Sequence, residues 1–128
     1  MRFVYTILYV KDVPKSILFY EQAFGLKRRF LHESEQYAEM ETETTTLAFA
    51  ANELARSNLT EGFQENSLSN LPAGIEIGLV TEDVSAAFNR AVESGAVKVV
   101  EPKVKPWGQT VAYVRDRDGI LISINSPM

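Results

Sequence analysis

The sequence predicts an α+β fold built from two tandem βαβββ modules, and three observations carry that prediction. The stretch 75–95, IEIGLVTEDVSAAFNRAVESG, reads as strand, cap and helix: Ile75, Ile77 and Leu79 alternate with Glu76, Gly78 and Val80. Asp83 then stands at an N-cap position ahead of a helical stripe at Val84, Ala87, Phe88, Ala91 and Val92, and Gly95 supplies the stop. The stretch 5–25 repeats the plan, with Asp12 as cap and Pro14 in the first turn, where a missing N–H costs nothing. Its stripe is Val13, Ile17, Tyr20 and Phe24, and Gly25 ends it. The third observation is a run of segments rich in β-branched and aromatic residues after each helix.

In the first half those segments are 26–31, 36–42 and 45–51; in the second they are 97–100, 109–115 and 120–125. Asp116, Arg117, Asp118 and Gly119 join the last two as a hairpin, with Gly where a positive φ is needed. The copies keep register: Asp12 and Asp83 are 71 positions apart, Ala38 and Ala112 are 74 apart, and Phe49 and Ile124 are 75 apart. Module 1 therefore covers about 1–51 and module 2 covers 75–128, in a single domain. The arm 52–74 between them is polar and punctuated by Asn, Ser, Gly and Pro, with Leu54, Leu59, Phe63, Leu68 and Leu71 keeping it partly apolar. A connection of that length without structure of its own is uncommon in a compact domain. It reads either as an arm packing on a partner or as a flap over a site.

Composition narrows the function. A chain of 128 residues, 45% hydrophobic, has enough apolar material for one core. A net charge of -4 and scattered basic residues exclude nucleic acid or an anionic membrane as the main partner. No apolar run approaches a membrane span, and the N-terminus lacks a signal-peptide cleavage pattern, so the expected location is the cytoplasm. The absence of cysteine removes disulfides, thiolate nucleophiles and sulfur-rich metal sites together. Seven glycines are spread singly at caps and turns, so no phosphate-binding loop exists.

Alternation sorts each strand into a helix-facing row and an opposite row. Val4, Leu8 and Val10 face the helix in the first strand, leaving Tyr5, Ile7 and Tyr9 opposite; Leu47 and Phe49 leave Thr46 and Ala48 opposite. Ala112 and Val114 leave Gln109, Val111, Tyr113 and Arg115, and Ile120, Ile122 and Ile124 leave Leu121, Ser123 and Asn125. These opposite rows are apolar and aromatic with a few polar groups, as concave small-molecule sites usually are.

The paired modules, the opening LYVKDVPKSILFYEQAFGL and the closing PWGQTVAYVRDRDGILISI together resemble the glyoxalase, bleomycin-resistance and extradiol-dioxygenase superfamily, the vicinal oxygen chelate proteins. The resemblance spans nearly the whole chain and implies eight strands curled into a mixed-sheet cleft with helices outside, in a homodimer. It also implies a divalent metal held by His, Gln or Glu from the first and last strand of each module. In this sequence those four positions fall on Tyr5, Ala48, Glu76 and Ser123, and only Glu76 is an ordinary ligand. The expectation is therefore no metal and no cofactor.

Among individual residues, Glu76 reads either as a cleft-facing carboxylate or as a strand-edge carboxylate paired with a nearby cation. Glu39, Glu41 and Glu43, at period two, form either an acidic wall that would attract a cationic ligand or a solvated face. His32, the single histidine, sits among charged residues at a strand end and reads as a surface turn. Trp107, between Pro106 and Gly108, is placed to stack on a planar ligand, or to seal a dimer seam. Tyr5, Tyr9 and Tyr113 extend an aromatic lining or serve as core. With no second histidine, a nucleophilic role for Ser123 is not expected.

The leading expectation is a metal-independent small-molecule binder resembling the bleomycin- and mitomycin-resistance proteins. A planar or hydrophobic ligand would meet Tyr5, Ile7, Ala48, Glu76, Trp107, Tyr113, Arg115 and Ser123 in a dimer cleft. The alternative is a glyoxalase-like lyase, isomerase or dioxygenase with an atypical ligand set. There Glu76 would be a metal ligand or general base, with Glu39, Glu41 or a partner chain completing the set. A degenerate cleft in a dimeric interaction module is the third.

Overall fold

The computed structural model describes residues 1–128. Strand β1 (Tyr5–Val10), helix α1 (Val13–Phe24) and strands β2 (Lys27–Leu31), β3 (Tyr37–Glu41) and β4 (Thr46–Ala51) form one copy of the plan. A short helix, α2 (Asn52–Asn58), comes next. Strand β5 (Glu76–Val80), helix α3 (Val84–Glu93) and strands β6 (Val97–Val104), β7 (Thr110–Arg115) and β8 (Leu121–Asn125) form the second. Each copy makes its own four-stranded mixed sheet, in the orders β1-β4-β3-β2 and β5-β8-β7-β6. No helix is long and apolar enough to cross a membrane.

The predicted caps hold both long helices. The Asp12 carboxylate accepts from the Lys15 N–H and Gly25 closes α1 at φ 69°; the Asp83 carboxylate accepts from the Ala86 N–H. The end of α3 differs slightly from the prediction: Ser94 is the cap and Gly95, at φ 111°, is the next residue. Gly95 N–H then reaches the Val92 carbonyl and Ala96 N–H the Ala91 carbonyl, which adds donors to the carbonyls of the last turn.

The chain divides into two compact units, one comprising 1–21 and 25–65, the other 22–24 and 66–128. In the first, Tyr20 on α1 meets Phe49 on β4 edge to face with ring centroids 4.9 Å apart. Val10, Ile17, Ala38 and Met40 are buried around that pair. In the second, α3 lies across β6, β7 and β8. Phe88 and Ala91 are buried there, as are Ala112, Val114, Ile122 and Ile124. The equivalent pairs Ala38/Ala112 and Phe49/Ile124 thus occupy matching core positions.

Two expectations are corrected and one element is added. Residues 52–58 of the arm form α2, because Leu54, Ala55 and Arg56 favour helix and Ala55 finds a buried place against the end of β4. The strand expected at 97–100 continues to Val104, since it lies at the sheet edge, where Pro102 interrupts no ladder essential to the core. Thr46 and Ala48 are on the face opposite the helix but are buried, because β4 is flanked by β1 and β3 and these side chains are small.

Candidate functional site: the open sheet faces

In the first unit, parallel pairing sets Tyr5 opposite Thr46 and Ile7 opposite Ala48, and antiparallel pairing sets Ala48 opposite Glu39. Paired residues share a face, so the open side carries the row Ile7, Ala48, Glu39. Tyr5 and Ile7 are about half exposed, whereas Ala48 is fully covered. Tyr9, further along, packs edge to face on Phe63 at 4.9 Å, so the segment after α2 folds over that end of the face. An ion pair between Arg56 and Glu65 secures that segment to α2.

Alternation fails at one point on this face. Arg28 pairs with Met40, but Phe30 pairs with Glu39, so Arg29 is the extra residue of a β-bulge in β2. Arg28 remains on the helix side, where its guanidinium holds Glu21 through two bonds of 3.0 and 2.7 Å. Arg29 is re-aimed to the open side. Its Nη1 donates to Glu39 Oε1 at 3.4 Å and to Thr46 Oγ1 at 3.3 Å. The Tyr37 hydroxyl donates to the other Glu39 oxygen at 2.8 Å, and Phe30 leans on the Tyr37 ring at 5.9 Å. Burial, and then the Glu39 carboxylate it serves as donor, push the Tyr37 phenol well above its ordinary range. Sequence reasoning missed this cluster: Glu39 stood in a row of three glutamates, of which Glu41 and Glu43 are exposed. The doubled arginine next to Phe30 was its only signal.

In the second unit the corresponding face carries Glu76 opposite Leu121, Gly78 opposite Ser123 and Tyr113 opposite Ser123. Glu76 is exposed. Ser123 is buried, its Oγ accepting from Asn125 Nδ2 at 2.9 Å, and that amide also donates to the Leu79 carbonyl. Tyr113 is half-buried. Arg115 is engaged with backbone: Nε donates to the Gly119 carbonyl, and Nη2 to the carbonyls of Ser67 and Asn70, at 2.8 to 3.0 Å. It clamps the β7–β8 turn to the arm. Trp107 lies in the β6–β7 turn, 63% exposed, its indole N–H bonded to Gln109 Oε1. A cavity of about 330 Å³ opens on the helix side of this unit, beside Leu79, Thr81, Asp83, Ala87 and Arg90. Its polar groups are committed, Asp83 to the cap and Arg90 Nε to the Gln22 carbonyl.

His32 forms the β2–β3 turn, its Nδ1 accepting from the Ser34 N–H. The four positions at which the resemblance implies metal ligands hold a half-exposed phenol, a methyl group, an exposed carboxylate and a hydroxyl already bonded to an amide. Nowhere do three His, Asp or Glu side chains converge in a way that could hold a metal ion. The residues present do not fit that metal.

The match to known proteins covers the chain almost end to end. Residues 2–124 match the model of the Glyoxalase/Bleomycin resistance protein/Dioxygenase superfamily. A protein of Vibrio cholerae named probable lactoylglutathione lyase is 30% identical over 96% of this chain and 88% of its own length. A glyoxalase-related enzyme from Fulvimarina pelagi superposes with a TM-score of 0.84 at 18% identity, over 99% of this chain and 88% of that one. A protein of unknown function from Agrobacterium tumefaciens does so with a TM-score of 0.80 at 26% identity, over 100% of this chain and 95% of that one. With two βαβββ modules of matching register and a family match across them, the chain belongs to the glyoxalase, bleomycin-resistance and dioxygenase superfamily.

Proposed function

We infer that this chain binds a small planar or hydrophobic molecule as a homodimer and without a resident metal, in the manner of the bleomycin- and mitomycin-resistance members of its superfamily. The donor set carries the reading: Tyr5, Ala48, Glu76 and Ser123 stand where metal ligands would be, and Ala48 offers nothing to coordinate. What the open faces offer instead is contact area. Tyr5, Ile7 and Trp107 are substantially exposed, and covering such surface is worth roughly 25 cal/mol per Å². An aromatic stack adds about 0.5–1.5 kcal/mol. Stacking, desolvation and one or two hydrogen bonds do the work, and no bond is made or broken.

Elemental analysis of purified, unchelated protein tests this first, followed by melting temperature with added zinc, nickel, manganese or iron. The expected result is no stoichiometric metal and no rise in Tm. Metal-free bleomycin is then titrated against the fluorescence of Trp107, with saturable quenching expected, and sedimentation is expected to give a dimer. Stoichiometric metal with a higher Tm overturns the reading.

A second reading rests on the name of the Vibrio relative, 30% identical. Under it the chain is a metal-dependent lactoylglutathione lyase with Glu76 as ligand or base and Glu39, Glu41 or a partner chain completing the set. Turnover of methylglyoxal with glutathione in the presence of zinc or nickel, lost in Glu76→Gln, would establish it and displace the first.

A further inference from the structure

The bulge at Arg29 does more than bend an edge strand. It delivers a guanidinium onto an open sheet face that presents Tyr5, Ile7 and Phe30, each between 41% and 52% exposed, together with the exposed cross-strand pair Lys27 and Glu41. Within that setting Arg29 is only partly used. Nη1 divides itself between Glu39 and Thr46 in two long bonds, and neither Nε nor Nη2 has a protein partner. The side chain is 43% exposed. A guanidinium has five N–H donors in a fixed fork suited to a carboxylate, so most of this one's capacity remains open to a ligand.

Glu39 does not compete for that role. Its side chain is 13% exposed, and each of its oxygens already accepts a bond, one from Tyr37 and one from Arg29. It serves to hold the guanidinium in place, as Thr46 does from the neighbouring strand. Tyr5, paired directly with Thr46, stands beside the spot to which Arg29 reaches. The result is a cation with an open hydrogen-bonding edge, fixed by a half-buried carboxylate and bordered by exposed aromatic and aliphatic surface.

We propose that Arg29 is the polar anchor of the ligand site on the first sheet, and that the ligand is a small aromatic or otherwise planar carboxylate. Its anionic group lies on Arg29 Nε and Nη2 while its apolar body covers Tyr5, Ile7 and Phe30. This rests on the binding reading above and narrows it from planar molecules in general to planar anions. A charge-assisted bond at a partly exposed site separates an anion from a neutral analogue by about tenfold in affinity.

Isothermal titration of the 128-residue chain with three matched probes tests the proposal: 2-naphthoate, neutral 2-naphthamide and cationic 2-naphthylmethylammonium. At low ionic strength 2-naphthoate should bind about tenfold tighter than the other two. Arg29→Gln should lower its affinity to that of the amide and leave the amide unchanged. Arg29→Lys, which keeps the charge and loses the fork, should fall between. Arg29 is on an edge strand and half exposed, so both variants should stay folded with only a small drop in melting temperature from the lost Glu39 pair. Equal binding of all three probes, or tightest binding of the ammonium, overturns Arg29 as an anion anchor and leaves the general binding reading standing. Tight 2-naphthoate binding unaffected by Arg29→Gln also overturns it. Binding of none of the three overturns the anion anchor, while the general binding reading is decided separately by the metal analysis and the bleomycin titration.

Discussion

The hydroxyl of Tyr37 donates to the carboxylate of Glu39 across 2.8 Å, from two residues earlier on the same strand. Residues two apart share a strand face, so the pair is local in sequence, yet its surroundings come from three other strands. Desolvation first, and the bond to Glu39 second, raise the Tyr37 pKa well above the ordinary 10.0. A raised folded-state value contributes stability that is fully present below about pH 10 and is lost as pH rises from there toward the folded value. Ultraviolet titration should therefore show a Tyr37 step well above the ordinary tyrosine range. Tyr37→Phe should remove that late step.

Glu21 behaves in the opposite sense. The hydrogen bonds from Arg28 hold its carboxyl below the ordinary 4.5. Its stabilising effect is present above that value and is lost as pH falls through the folded-state value. Both partners are partly exposed, so the effect is small, about 0.5 kcal/mol. Denaturant melts should show Arg28→Gln less stable than the parent at neutral pH, with the difference vanishing in strong acid.

Gly119 should resist replacement. Its φ is +88°, and a Cβ there would lie 2.7 Å from the backbone of Ser67 and 2.8 Å from Arg115 Nη2. Gly119→Ala should cost more than about 1 kcal/mol in a urea melt, because the β7–β8 turn and the arm must separate to admit it. An unchanged midpoint would mean the clamp by Arg115 yields freely.

The helix caps provide a smaller test in each module. Asp12→Ala and Asp83→Ala remove side-chain acceptors from the Lys15 and Ala86 N–H groups. Each should lower stability by about 1 kcal/mol, read as a shift in chemical midpoint with an unchanged slope.

Phe49→Ala is the severe case. Phe49 is completely buried against Tyr20 on the first sheet, and losing such a ring costs roughly 3–5 kcal/mol. The thermal transition should drop by many degrees. A mild effect would mean that Tyr20 and Met40 close the space.

What the sequence determined by itself was everything governed by neighbours along the chain. Asp12, Pro14, Gly25 and Asp83 mark helix ends through bonds within three or four residues. The alternation of Ile122 and Ile124 with Ser123 marks a half-buried strand, and equal spacing of such signals in two halves gives the repeated topology. What only the tertiary structure decided was where the strands stop obeying their own period and where long side chains end. A bulge shifts register by one residue, so the alternation that sorts every other strand could not place Arg29 on the open face. Arg115, on the open face of the second sheet by the same alternation, turns to carbonyls 45 and 48 positions away. Ala48 lies on the open side yet is covered by its neighbours. Local pattern specifies which way a Cβ points; the destination of a guanidinium several bonds beyond it depends on which acceptors the fold brings within reach.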